Sequence, residues 1–215
     1  MRIAVFGANG RIGRAIVVEA LQRGHDVTAA VRSPAKMQDT HPRLRVVEAH
    51  IDDPSSVEAE VRDHDAVVDS VGGLGHDNPR ISIECMEPLT LGLRRAGVKR
   101  LLVVGTAGTL QVPEGGMRKD QADFPEELKV EAQAQTEVLE YLRRLPNGLL
   151  KWTYFSPPAL IEPGERTGRL KIGKDRLLFD DNGRSFISNE DFAAATIDEL
   201  EAPRHVESRF TAISY

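Results

Sequence analysis

Residues 1–24 read MRIAVFGANGRIGRAIVVEALQRG. The apolar run Arg2–Phe6 gives way to glycines at positions 7, 10 and 13, and Ile12, Ile16 and Ala20 then recur every fourth residue. That recurrence marks one face of a helix, and Gly24 stands where helices end in the left-handed conformation. The segment is therefore a strand, a tight turn and a helix. In that setting Gly7 permits the turn out of the strand, Gly10 leaves room for a diphosphate against the backbone, and Gly13 lets the helix pack closely. The helix N-terminus adds unpaired N–H groups and the positive end of its dipole. The spacing is G-x-x-G-x-x-G, and no Gly-Lys-Ser/Thr follows, so the segment is not a P-loop. In this context the glycines point to a dinucleotide; a bare structural turn is the plainer alternative.

The same alternation continues along the chain. VTAAV (27–31), RLRVVEA (43–49), AVVDSV (66–71), RLLVVGT (100–106) and KWTYFS (151–156) read as strands. PSSVEAEV (54–61), residues 83–96 and residues 126–144 read as helices, the last with Ala134, Val138 and Leu142 on one face. Strand and helix in turn, with short connections, predict a parallel sheet covered on both faces. The C-terminal part changes rhythm. Asn182-Gly183 between short β-like runs predicts a hairpin. Ser188, with Asp191 three residues on, predicts a capped helix over 189–201, and RFTAIS (209–214) a last strand. The expected fold is α/β: one doubly wound Rossmann-type domain over 1–215. Residues 157–215 are expected to form a hairpin and helix covering the acceptor side of the strand ends.

The end of the second strand bears on which dinucleotide is bound. It reads Val31-Arg32-Ser33, with Lys36 one turn on and no acid at that end. An acid there would hold a ribose 2′-hydroxyl, whereas arginine can pair with a 2′-phosphate through two N–H groups. Arg32 and Ser33 therefore point to NADP(H) over NAD(H), with Arg11 able to help; a solvated surface arginine is the alternative.

The chain has 215 residues, a net charge of −5 and a mean hydropathy of −0.32. That charge leaves no electrostatic footprint for nucleic acid or an anionic membrane. One cysteine, Cys85, excludes an intrachain disulfide and reads as a small buried hydrophobe. No run approaches ~18 apolar residues, and Gly7, Asn9 and Arg11 interrupt the first one, so no signal peptide is expected and the location expected is cytoplasmic. No metal site is expected, and monomer and homodimer both stay open.

Taken together, the glycine pattern, VRSPAK, LLVVGTAGTL and especially the stretch from WTYFSPPALIEPGERTG to IGKDRLLFDDNGRSFISNEDFAAATIDELE resemble the atypical short-chain dehydrogenase/reductase family. Within it they resemble the NAD(P)-binding branch that carries NADH-flavin reductase names, across nearly the whole chain. The resemblance implies diphosphate contacts at Gly7, Asn9, Gly10, Arg11, Ile12 and Gly13, and 2′-phosphate contacts at Arg32 and Ser33. It places His50 and Ile51 by the adenine, His50 standing where relatives often carry Asp; His50 could stack on the base or stand free at the surface. Ser70, Val71 and Gly72 fall beside the ribose, and Thr106, Phe155, Ser156 and Pro157 beside the nicotinamide.

The wider family uses Tyr-x-x-x-Lys as its acid. Here Tyr141 is followed four residues on by Leu145, Tyr154 by Pro158, and Tyr215 is the last residue. Thr106, at the position of the family's serine, is the one candidate catalytic residue. Two functions follow as expectations. One is an NADPH-dependent reductase that passes hydride to a small aromatic acceptor, a flavin or quinone, which needs no positioned protein acid. The other is a non-catalytic NADP-binding redox sensor of the NmrA-like kind. A sugar-nucleotide epimerase or dehydratase is disfavoured, because it would use the missing pair and a larger C-terminal domain.

Overall fold

The computed structural model describes residues 1–72 and 77–215. In chain order the elements are β1 (Arg2–Phe6), α1 (Arg11–Gln22), β2 (Asp26–Val31), β3 (Leu44–Glu48), α2 (Pro54–Val61) and β4 (Ala66–Asp69). Then come α3 (Ile81–Glu84), α4 (Met86–Ala96), β5 (Arg100–Val104), α5 (Lys129–Arg144) and β6 (Lys151–Ser156). The chain closes with β7 (Leu160–Glu162), β8 (Leu170–Gly173), β9 (Phe186–Ser188), α6 (Asn189–Glu201) and β10 (Ser208–Ser214).

The central sheet has the order β3-β2-β1-β4-β5-β6-β10-β8, parallel throughout except for the antiparallel edge pair of β10 and β8. Strand order reverses between β1 and β4, and the carboxyl ends of those strands frame the cleft in which such folds bind ligands. Both faces are covered, as the apolar runs predict. Ile3 and Val5 of β1 point into one core with Ile16 and Ala20 of α1 and Phe192 and Ile197 of α6. Ala4 and Phe6 point into the other, with Val57 of α2, Leu89 and Leu93 of α4 and Val138 of α5. Each such large side chain contributes roughly 1.5–3 kcal/mol on burial, so the two sheet faces dominate the energetics and the strand ends are left for function.

Several expected elements take a different form. The helix over 83–96 begins two residues earlier and is divided at Cys85. Pro88, one turn into α4, has no N–H to give the preceding turn, which breaks the ladder there. The helix over 126–144 opens with a 3-10 turn, Glu126–Leu128. At 182–183 the turn forms: Gly183 adopts φ +76, and Asp180 N–H donates to the Arg184 carbonyl at 2.9 Å. Its flanks do not pair with each other, however. Phe186–Ser188 instead pairs in parallel with Leu160–Glu162, so the expected hairpin is replaced by a two-stranded β7–β9 sheet. The Asp180 carboxylate accepts from the backbone N–H groups of Asn182 and Arg184, which closes the turn locally without a ladder.

The capped helix is as read: Ser188 Oγ accepts from Asp191 N–H at 2.9 Å. α6 packs on α1, and β10 adds to β6, so residues 189–214 build the central layers themselves. Of the expected cover over 157–215, residues 170–173 (β8) and 189–214 thus belong to the central sheet and the α6 layer on it.

Candidate functional site

The glycine loop is the best-formed part of the cleft. Gly7 lies at φ +76, and a Cβ on it would come within 2.8 Å of the Ser70 backbone. Both facts require glycine there. A Cβ on Gly13 would sit 2.3 Å from the Gly7 carbonyl oxygen and 2.6 Å from Ser70 Oγ. Gly13 thus lets α1 close on the loop itself and on the end of β4, rather than on the sheet as a whole. Gly10 N–H donates to the Gly7 carbonyl at 2.8 Å, and Gly10 caps α1 without any side-chain bond. A Cβ on Gly10 would meet only that carbonyl oxygen, at 3.1 Å. No acid occupies the first turn of α1. The loop therefore presents open backbone and a positive helix end on one side, which suits a diphosphate.

Around the loop stand Asn9, Arg11 and Ile12. Asn9 Nδ2 donates to the Ser33 carbonyl at 3.5 Å, joining the loop to the end of β2. Ile12 is half-buried against the core. Arg14 is held by Asp39 at 2.9 Å, whereas Arg11 and Arg32 are exposed and form no ion pair among the described residues. Ser33 precedes the 3-10 turn Pro34–Lys36. Two arginines without carboxylate partners at this corner are what a phosphate monoester would need.

His50 is exposed at the end of β3. Its ring nitrogen lies 3.5 Å from Glu48 Oε1, and its backbone N–H donates to Ser56 Oγ at 2.9 Å. Ile51 is buried with Val57, so its side chain serves the core and only its backbone and rim face outward.

At the end of β4 the chain leaves the strand two residues earlier than the apolar run suggests, because the Asp69 carboxylate accepts from Val71 N–H at 3.0 Å. Asp69 is fully buried, and burial pushes its carboxyl up to about 7, with the Val71 N–H acting against it. Ser70 Oγ donates to the Phe6 carbonyl at 2.6 Å, which locks β4 to β1 beneath the loop. Val71 and Gly72 follow, half-buried. Neighbouring Cys85 is buried, and desolvation followed by the charge of Asp69 pushes its thiol up to about 12, so it is inert. A Cβ on Gly72 would lie 3.1 Å from Glu131 Oε1, which brings the first turn of α5 to the end of β4. Sequence reasoning missed Asp69 and Glu131. A charge inside the run AVVDSV was a visible signal for the first; nothing local pointed to the second.

The ends of β5 and β6 are filled differently. Thr106 is half-buried; its Oγ1 accepts from Gly108 N–H at 3.3 Å and its carbonyl accepts from Thr109 Oγ1 at 3.0 Å. It is thereby a cap for the turn Ala107–Thr109. Tyr154 is fully buried beneath Gly105 and donates to Gln135 Oε1 at 2.9 Å; burial raises its phenol well above the ordinary value. Tyr141 bonds Thr90 at 2.7 Å, and Lys129 pairs with Glu126 at 2.5 Å. Among the described residues neither Tyr141 nor Tyr154 is thus hydrogen-bonded to a lysine.

Phe155 departs from expectation. Its ring is wholly buried between Phe192, at 3.9 Å between centroids, and Phe210, at 4.0 Å, in near-parallel stacks. Strand alternation turns it into the α6-side core, so the ring cannot wall a nicotinamide; only the Phe155 backbone reaches the strand end. Ser156 is buried with its Oγ 3.2 Å from Thr109 Oγ1, and Pro157 is buried beside it.

The profile of a family described as NAD(P)H-binding matches residues 7–203. YwnB, an uncharacterized protein of Bacillus subtilis, is 36% identical over 100% of this chain and 99% of its own. A solved Burkholderia pseudomallei structure, named only as an exported protein, superposes with a TM-score of 0.89 at 40% identity, covering 100% of both chains. A Streptococcus pneumoniae structure, assigned by name alone as an NADH-flavin reductase, gives 0.86 at 33% identity, again over 100% of both. Among the described residues no helix is long and apolar enough to cross a membrane.

Proposed function

Because the chain belongs to the NAD(P)H-binding family, within the atypical short-chain dehydrogenases/reductases, we propose that it is an NADPH-dependent reductase of a flat aromatic acceptor, a flavin or quinone. In this reading the loop Gly7–Gly13 holds the diphosphate, with Asn9, Arg11 and Ile12 around it. Arg32 and Ser33 take the 2′-phosphate, and His50 with the Ile51 backbone borders the adenine. Ser70, Val71 and Gly72 lie along the ribose side, and Thr106, the Phe155 backbone, Ser156 and Pro157 bound the nicotinamide side. Bound NADPH supplies a hydride; the chain's part is to orient the two rings and keep them in contact.

The observation that carries the choice of acceptor is the state of the hydroxyls at the strand ends. Tyr154 is committed to Gln135 under Gly105, and Thr106 is committed to capping. Carbonyl reduction calls for a positioned acid, whereas a flavin or quinone can take its proton from water. The same hydroxyls also favour the second reading, a non-catalytic NADP-binding sensor. A cytoplasmic location belongs to the proposal, supported by a single buried thiol.

Turnover separates the two readings. Purified protein is mixed with NADPH and, in turn, riboflavin, FMN, FAD and several quinones, and absorbance of the reduced nicotinamide is followed. Acceptor-dependent loss of NADPH is expected, unchanged within a few-fold in Tyr154→Phe. Tight NADPH binding with no acceptor-dependent loss would sink the reductase reading and leave the sensor.

A further inference from the structure

Glu131 lies in the first turn of α5, half-buried, with its Oε1 close enough to Gly72 that a Cβ there would come within 3.1 Å. Two close approaches bring the start of α5 to this place. Gly108, in the turn after β5, packs so tightly on α5 that a Cβ on it would lie 2.7 Å from the Cβ of Ala132, the next residue. On the other side Gly72 lies in the segment that follows β4 from Ser70, whose Oγ underlies the glycine loop. The start of α5 is thus packed on the turn after β5, and the Glu131 carboxylate stands beside the Gly72 backbone, just past the end of β4.

We propose that Glu131 is a cofactor-binding residue that accepts hydrogen bonds from the nicotinamide nucleoside, the half of the dinucleotide carrying ribose hydroxyls and a carboxamide. This rests on the dinucleotide reading of the cleft. An ionised carboxylate accepts hydrogen bonds and donates none. The phosphates of NADP(H) are also acceptors and repel it. On such a molecule the donors are the ribose hydroxyls, the adenine amine and the carboxamide. The adenine half belongs with Arg32 and His50 at the ends of β2 and β3, across the switch point from β4 and β5. The donors that come to the β4–β5 side are those of the nicotinamide nucleoside. A carboxylate accepting from a hydroxyl makes a charge-assisted bond, and losing it should weaken binding about tenfold.

The test compares whole cofactors with fragments that lack the nicotinamide nucleoside. Wild type, Glu131→Gln and Glu131→Ala are titrated calorimetrically with NADP+ and adenosine 2′,5′-bisphosphate, and with NAD+ and ADP as a second pair. Melting curves check that each variant is folded. Glu131→Ala should bind the dinucleotides about tenfold more weakly while the fragments stay within about twofold, and Glu131→Gln, which keeps a neutral acceptor oxygen, should lose less. Equal losses within a pair, or no loss in either folded variant, would overturn the proposal while leaving the cofactor reading intact. A wild type that binds neither dinucleotide overturns both. Binding with the predicted pattern but no turnover overturns only the reductase reading.

Discussion

The two ends of the cleft are made of different materials. At Gly10 the surface is bare backbone, with Gly7 and Gly13 packed behind it, and Arg11 and Arg32 stand beside it with no ion pair among the described residues. The hydroxyls of Thr106, Tyr154 and Ser156 are each engaged with another protein group, Phe155 is locked in a stack, and the Thr211 hydroxyl across from Ser156 is buried without a partner among the described residues. One end is left open for charge to arrive; at the other the Thr106, Tyr154 and Ser156 hydroxyls already have protein partners. On the proposed reading the first end would therefore bind the cofactor, while the second would contribute packing and shape more than acid–base chemistry.

That contrast can be broken most forcefully at Phe155. If its ring serves only the core, Phe155→Ala should cost about 3–5 kcal/mol of stability. The folded fraction should still bind NADPH with an affinity within about threefold of wild type. Chemical denaturation and calorimetry check the two halves of the statement, and a large loss of affinity with little loss of stability would place the ring at the site after all.

At the open end the order reverses. Gly10→Val should weaken NADPH binding by about a hundredfold or more, because the branched side chain fills the space a diphosphate needs. Circular dichroism should show the fold intact, since a Cβ there meets only the Gly7 carbonyl oxygen at 3.1 Å. Normal NADPH affinity in a folded Gly10→Val would mean that the phosphates lie elsewhere.

Asp69 sits where the two ends meet and sharpens the comparison through pH. Its ordinary value is 3.8, and burial raises it to about 7. Between those values the unfolded chain is ionised while the native chain keeps its proton. Asp69 therefore makes stability fall as pH rises through that window and level off above about pH 7. Asp69→Asn removes this contribution. Melting curves from about pH 4 to about pH 8 should converge at the acid end and separate toward neutrality, with the variant the more stable; parallel curves would show that Asp69 ionises normally.

The contrast also explains which parts were legible in the sequence. The glycine loop was readable because its signals are local: a glycine at φ +76 and a bare helix start are written within seven residues. The α6 cap, with Ser188 and Asp191 three residues apart, was readable for the same reason. Phe155 was not. Tyr154 and Phe155 point to opposite faces of β6, both faces are apolar, and nothing in KWTYFS says which side the strand end exposes. Glu131 was hidden because its meaning depends on Gly72, far away in sequence and close in space. The Asn182-Gly183 turn was correctly located, but its flanks found other partners, since a turn fixes direction and not pairing.

The central claim, that the open end of this cleft is built for NADPH, is tested most directly by titrating NADPH and NADH calorimetrically into wild type and Arg32→Ala. A charge-assisted contact from Arg32 to the 2′-phosphate is worth about 1.5–3 kcal/mol. Wild type should therefore bind NADPH tenfold or more tighter than NADH at that order of magnitude, and Arg32→Ala should erase the difference by weakening NADPH alone. Equal affinities for the two cofactors in the wild type, or a preference that survives in Arg32→Ala, would contradict it.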